Sequence, residues 1–273
     1  MTTRIGIDAG GTLTKIAYWN DEKKLKLKKF LSSDFHAVRD WIDSNHSLAS
    51  ICLTGGRAEQ LKDCLFSKNE IPYIVEFDAT MNGVMYQLKQ EKVSCSSAVI
   101  ANIGTGTSIH IMNGQVHSRI GGTGIGGGTL TGLGMALTGI TNYLDIIETS
   151  KQGNRTFIDV LVSDIYEKNK LPIKGSLTAS NFGGIAIKTQ NEKSEPDLLA
   201  GVQGLIGEVV SSLCIQAADA HGFEDIIFIG STLENNELLQ QVIESYTLLK
   251  QKNPIFLKKH GYSGAIGALL ENV

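Results

Sequence analysis

One short pattern occurs twice in this chain. Ile5-x-Ile7-Asp8-x-Gly10-x-Thr12, with a strand-like run over 15–19 behind it, returns as Val99-Ile-Ala-Asn102-x-Gly104-Thr105-Gly106-Thr107, followed by a run over 108–112. Each copy continues into a third apolar run. Each half also holds a later strand that ends in small residues, Thr54-Gly55-Gly56 in one and Gly230-Ser231-Thr232 in the other. Strands first, then helices alternating with strands, written twice, specify two related α/β lobes with a cleft between them. Strand-like runs are expected at 4–8, 15–19, 24–31, 50–54, 72–77, 97–103, 107–112, 115–120, 225–230 and 254–258. Helices are expected at 34–45, 79–92, about 129–139 and 196–221 from apolar residues at helical spacing. The last has Pro196 in its first turn and Gly222 as its stop. The boundary falls near 93–97, giving lobes 1–95 and 96–260. The small-residue segment 261–273 reads as a helix that packs back on the first lobe.

At 273 residues the chain is long enough for a large core. Its net charge of −3 offers no case for nucleic-acid binding. The basic run Lys23 to Lys29 alternates with apolar residues and reads as an edge strand guarded by lysine, with an anion-binding patch as the lesser reading. The four cysteines, Cys52, Cys64, Cys95 and Cys214, form no C-x-x-C pair and read as reduced, mostly buried thiols. There is no signal-peptide pattern and no 18-residue apolar span, so a cytoplasmic protein without a membrane partner is expected.

Glycine is unusually frequent, 30 residues against 4 prolines, and it clusters. Four clusters converge if the lobes face each other: Asp8 to Lys15, Thr54 to Gly56, Asn102 to Ser108, and Gly121 to Thr129. Glycine turns let backbone N–H groups approach anionic oxygens, and threonine hydroxyls add donors. The fourth cluster enters a helix, so free N–H groups and a positive dipole end are expected there. It follows a hairpin and not a βαβ strand, which counts against a dinucleotide fold, and no G-x-x-x-x-G-K-[ST] occurs. Asp8, at a strand end, is either a turn cap or a partner for a divalent cation. Asp78 reads as the N-cap of the helix starting near Ala79. Glu76, at the end of the strand before it, is then a general-base candidate or a surface ion-pair partner. Arg119 is either a bidentate clamp for a carboxylate or phosphate or a solvated hairpin charge. His117 reads as a plain hairpin residue.

Taken together, Asp8-Ala-Gly-Gly-Thr-Leu-Thr-Lys15, Val75-Glu76-Phe77-Asp78-Ala79, Ala101-Asn-Ile-Gly-Thr105-Gly-Thr107-Ser108, Arg119-Ile-Gly-Gly and Gly126-Gly-Gly-Thr129 resemble the type II pantothenate kinases of bacilli and staphylococci. The resemblance extends through Leu177-Thr178-Ala-Ser-Asn181-Phe and Tyr262-Ser-Gly-Ala-Ile-Gly-Ala268. It implies two ribonuclease-H-like lobes of the actin-like ATPase kind, within the superfamily of acetate and sugar kinases, heat-shock chaperones and actin. It implies ATP-dependent phosphorylation of pantothenate, the first step of coenzyme A synthesis, with Mg²⁺ at Asp8, directly or through water. Glu76 matches the family's catalytic base and Arg119 a residue that contacts pantothenate. Asp8, Ala9, Gly10, Gly11, Thr12, Leu13, Thr14, Lys15, Thr105, Gly127, Gly128, Thr129, Leu130, Thr131, Tyr143 and Ser231 match ATP-binding positions. Thr178 and Tyr246 resemble residues that approach pantothenate across a homodimer interface. Two other readings stay open: a sugar or amino-sugar kinase of the same superfamily, and a non-catalytic actin-like ATP-binding module.

Overall fold

The computed structural model describes residues 3–65, 71–166, 173–187 and 193–271. The first half runs β1 (Arg4–Ala9), β2 (Leu13–Trp19), β3 (Leu25–Leu31), α1 (Phe35–His46), β4 (Ser50–Thr54), α2 (Ala58–Cys64) and α3 (Glu76–Glu91). The second opens with β5 (Ser97–Ile103), β6 (Thr107–Asn113), β7 (Val116–Thr123), α4 (Gly127–Thr138) and α5 (Tyr143–Ser150). A run of short elements follows: β8 (Val160–Leu161), α6 (Val162–Ile165), β9 (Thr178–Ser180) and α7 (Gly184–Ile187). The half closes with α8 (Glu195–His221), β10 (Asp225–Ile229), α9 (Glu237–Leu249), β11 (Asn253–Phe256) and α10 (Ser263–Glu271).

The doubling in the sequence is a doubling of topology. The first sheet is ordered β3-β2-β1-β4 and the second β7-β6-β5-β10-β11. In both, the first three strands are antiparallel and the fourth lies parallel to the first. The run expected as a strand over 72–77 makes only one parallel bridge, Leu53 to Tyr73, at the place β11 fills in the second sheet. Lysine-rich β3 is an edge strand, as its alternation requires.

Each sheet is covered on both faces, and the strands are apolar on both sides accordingly. Ile5, Ile7 and Ala9 pack with Val38, Ile42 and Leu61 of α1 and α2. Val99, Ala101 and Ile103 pack with Leu130 of α4 and the stripe Leu199, Val202, Ile206 and Val210 of α8. The opposite faces are exchanged between the halves. α3 lays Met81, Val84 and Leu88 on Ala98, Ile100 and Ile227 of the second sheet. α10 lays Ala265, Ile266 and Leu269 beside Ala17 of the first. The two helices also pack on each other. A Cβ at Gly83 would overlap the Ser263 carbonyl, one at Gly267 the Ala79 carbonyl, and one at Gly6 the Leu269 backbone. The small-residue face of the closing segment therefore serves close backbone packing; its last two residues, 272 and 273, lie outside the described residues.

Two expectations need correction. An 18-residue window of α8 has a mean hydropathy of 1.7, long and apolar enough to cross a membrane, but 67% of it is buried inside the protein. A helix buried nearly all round needs no polar face. Of the cysteines, only Cys52 and Cys214 are buried, while Cys64 and Cys95 are half-buried. Burial pushes the Cys52 and Cys214 thiols up to about 11 and about 12.

Candidate active site

β1 delivers Asp8 to the rim of the first sheet. In register it faces Lys15 of β2 on one side and Thr54 of β4 on the other. The Lys15 ammonium stands 3.9 Å from the Asp8 carboxylate, and these side chains are only 14% and 15% exposed. Glycine makes room for the carboxylate. Gly55, at φ +96°, would place a Cβ 2.7 Å from Asp8 Oδ1, and Gly264 of α10 would place one 2.9 Å from Oδ2. Burial raises the Asp8 pKa, and Lys15 works against that rise.

Glu76 belongs to the same charge cluster. Its pKa is raised by burial first and by the Asp8 charge second, while Lys15 and the Gly56 backbone N–H lower it. It does not end a strand as expected: it is the first residue of α3, with Val75 at the N-cap and no side-chain cap bond. Asp78 is not the cap either. It lies in the first turn, where a carboxylate suits the positive helix end. There its Oδ1 sits 3.1 Å from His117 Nε2. His117 is thus a partner and not a bare hairpin residue, and it ties the start of α3 to β7.

Arg119 lies next to this tie. Its guanidinium sits over the Phe77 ring, 5.4 Å from the centroid. Phe77 in turn leans on the buried His110 ring at 5.1 Å. Burial, then the Arg119 and His117 charges, lower His110 to about 4, so its imidazole is neutral. Phe77 follows Glu76 directly, so the docking of α3 on the β6–β7 hairpin sets the acid and the guanidinium on neighbouring segments.

The second glycine turn faces the first. Thr12 Oγ1 and Thr105 Oγ1 approach to 3.4 Å. Behind Thr105 the α4 start is stitched to the turn: Gly127 N–H donates to the Gly104 carbonyl and Gly128 N–H to the Thr105 carbonyl, both at 2.8 Å. Those two N–H groups are therefore not free, contrary to expectation, because the β5–β6 carbonyls stand where the first-turn donors point. Glycine is required for fit: a Cβ at Gly128 would lie 2.9 Å from the Thr105 carbonyl oxygen. The Thr232 hydroxyl also donates to the Gly104 carbonyl, at 2.9 Å, and the Tyr143 hydroxyl donates to the Thr232 carbonyl at 2.7 Å. Chiefly through burial, Tyr143 is pushed up to about 12.

The structure thus links the Asp8–Lys15 turn, Thr105, Gly127, Gly128, Tyr143 and the Ser231–Leu233 turn by direct contacts. Ala9 and Leu130 bury their side chains in the two cores, so only their backbone reaches the cleft. Thr14 is buried with its hydroxyl 2.9 Å from Ser32 Oγ. Thr131 donates to the Gly127 carbonyl within α4, and Thr129 to the Gly124 carbonyl. Thr178 and Tyr246 lie elsewhere in the same chain. They line a cavity of about 380 Å³ with Arg155, Glu208 and residues of α9, and none of that lining comes from β1–β7 or α3. Thr178 accepts from Arg155 at 3.0 Å and donates to Glu208 at 2.7 Å. Phe77, His110 and the Asp78–His117 pair escape sequence reasoning, because partners 39 residues apart leave no local signal.

The profile of the Fumble family matches residues 4–271. The chain is 50% identical over 270 residues to a type II pantothenate kinase of Bacillus cereus, covering 99% of this chain and 98% of that one. It is 37% identical over 266 residues to the type II pantothenate kinase of Staphylococcus epidermidis, covering 97% and 99%. Among solved structures, an activator of 2-hydroxyisocaproyl-CoA dehydratase from Clostridium difficile with bound ADPNP aligns at a TM-score of 0.64 and 15% identity, over 99% of this chain and 94% of that one. A ROK family glucokinase from Streptomyces griseus in complex with glucose and AMPPNP aligns at 0.60 and 13% identity, over 98% of each. At such identities the likeness is one of fold.

Proposed function

Since this chain belongs to the type II pantothenate kinase family, we propose that it transfers the terminal phosphoryl group of ATP to the primary hydroxyl of pantothenate. The observation that carries this reading is the placement of Glu76. It stands at a helix start, in one charge cluster with Asp8 and Lys15, directly before the ring that supports Arg119. ATP lies in the cleft with its phosphates between the two glycine turns. Glu76 takes the hydroxyl proton as that oxygen bonds to the γ-phosphorus and the bond to the ADP oxygen breaks. Its raised pKa brings its basicity closer to the working pH, as a general base requires. Arg119 holds the pantothenate carboxylate by paired N–H donors. Two half-buried acids against one lysine suit a divalent cation, and Asp8 would hold Mg²⁺ directly or through water. Such an ion would offset charge on the phosphate oxygens.

Thr178 and Tyr246 line a separate cavity in their own chain, so a role for them against pantothenate requires a second copy. The family resemblance gives them that role across a homodimer interface, and on it we read the enzyme as a cytoplasmic homodimer. ADP release measured over pantothenate, N-acetylglucosamine and glucose tests the activity. Release with pantothenate alone is expected. Release with a sugar alone would move the chain to a sugar kinase, and nucleotide binding with no acceptor-dependent ADP would make it a binding module.

A further inference from the structure

At the far end of α3 from Glu76 lies a second cavity, of about 570 Å³. The charge around it is lopsided. Lys23 and Lys24 come from the β2–β3 turn, Lys92 from the end of α3, and Lys258 and Lys259 from the segment after β11. Against these five lysines the lining holds one carboxylate, Glu91, and one of its oxygens accepts from the Lys258 backbone N–H at 3.0 Å. Lys24 also pairs with the exposed Glu22 at 2.8 Å. The chain as a whole carries −3, so this concentration of positive charge runs against its average. The C-terminal dipole of α3 favours Lys92, but it does not account for the lysines of the other two segments. Lys23 and Lys92 moreover adopt φ +56° and +57°, a left-handed conformation that costs any L side chain.

The rest of the wall is suited to an organic body. Trp19 and Tyr86 meet edge to face, with ring centroids 6.2 Å apart. Gln87 is 2% exposed and lines the cavity. Its amide is oriented by donation to the Gly83 carbonyl at 3.2 Å and to Ser263 Oγ at 2.8 Å. That leaves Oε1 buried from solvent with no hydrogen-bond partner, a costly arrangement at the cavity wall. We propose that this cavity binds a phosphorylated organic anion of nucleotide size, its phosphates among the lysines and its ring or apolar part against Trp19 and Tyr86. Compact ammonium groups without an arginine fit clustered phosphate charge better than a planar carboxylate. The volume falls within the range of small-molecule sites, about 300–1,000 Å³. An occupant held from both sides would link the first sheet to the second behind the cleft.

The test uses the full chain carrying Trp41→Phe, so that Trp19 is the sole indole, with the cleft saturated by Mg²⁺ and AMP-PNP. ADP is the probe, and Trp19 emission the readout. A saturable emission change is expected, reversed by inorganic tripolyphosphate and weakened about tenfold or more in Lys258→Glu/Lys259→Glu. Circular dichroism establishes that the double variant is folded, and Lys92→Gln, with an expected smaller loss of affinity, provides a second reading. Because the readout is binding away from Glu76, it is independent of whether the chain is a kinase. No saturable change in the parent, or affinity in the double variant within about twofold of it, would overturn the proposal.

Discussion

The two glycine turns occupy equivalent places in equivalent sheets, yet they differ in charge and in how they are held. In β1 the strand-end residue is Asp8, facing Lys15; in β5 it is Asn102, facing Ser108. Both turns close on themselves, Gly10 N–H reaching the Leu13 carbonyl at 3.2 Å and Gly104 N–H the Gly106 carbonyl at 2.8 Å, and in the first the Thr12 carbonyl also accepts from Ser32 N–H at 2.9 Å. The second is bonded into its surroundings: its Gly104 and Thr105 carbonyls accept from Gly127, Gly128 and Thr232. A duplicated unit has thus divided its work. The first turn carries the Asp8–Lys15 ion pair, and the second is a neutral turn onto which Gly127, Gly128 and Thr232 are bonded.

The largest effect that could break this division is expected at Glu76. Glu76→Gln should lower kcat about 10²–10⁴-fold. Nucleotide affinity, which rests on groups other than the base, should stay within about threefold. ADP release and AMP-PNP titration measure the two. Next comes the exchange of helices that joins the lobes. Gly267→Ala forces a Cβ into the Ala79 carbonyl, and should destabilise by about 1–3 kcal/mol or more, read as a fall in the denaturant midpoint. Gly132→Ala is the control: exposed on α4 with open space around it, it should stabilise by up to about 1 kcal/mol. Equal effects at the two glycines would contradict the close packing of α3 on α10.

A smaller effect sharpens the electrostatic side. Glu76 is raised by burial and by Asp8, and it must be ionised to act as a base. Activity is therefore lost as pH falls through the raised value, and the acid limb of kcat/KM should lie above the ordinary carboxylate range. In Asp8→Asn one raising charge is gone, so the limb of the remaining activity should move down. Stability has the opposite sense. A raised carboxyl pKa penalises the folded state progressively as pH rises from the ordinary carboxylate range to the raised value, and fully above it, so Glu76→Gln should be no easier to unfold at neutral pH than the parent. The smallest effect is expected at the tie between halves. The Asp78–His117 pair is partly exposed, with side chains 56% and 21% open. His117→Ala should therefore cost less than about 1 kcal/mol of stability. Its trace should be a modest rise in pantothenate KM as Arg119 loosens.

Much of this architecture was legible in residue patterns, for physical reasons. Ile5, Ile7, Val99 and Ala101 face cores and so betray their strands, and the glycine turns that follow mark where backbones approach. The start of α3 is not legible because Ile74 and Val75 are β-branched and extended, which reads as a strand until the helix begins at Glu76. The helix exchange leaves no trace in Met81, Val84 and Leu88, since an apolar stripe does not say which sheet it covers. The stitched α4 start leaves no sequence signal because its acceptors are backbone carbonyls 23 residues away, identical in every residue type.

The most direct test of the central claim is a crystal structure with a nonhydrolysable ATP analogue bound. The terminal phosphorus should lie between the Asp8–Lys15 turn and the Gly104–Gly128 wall, with the Glu76 carboxylate directed toward it. A terminal phosphate seated elsewhere, with Glu76 turned to bulk solvent, would contradict the account.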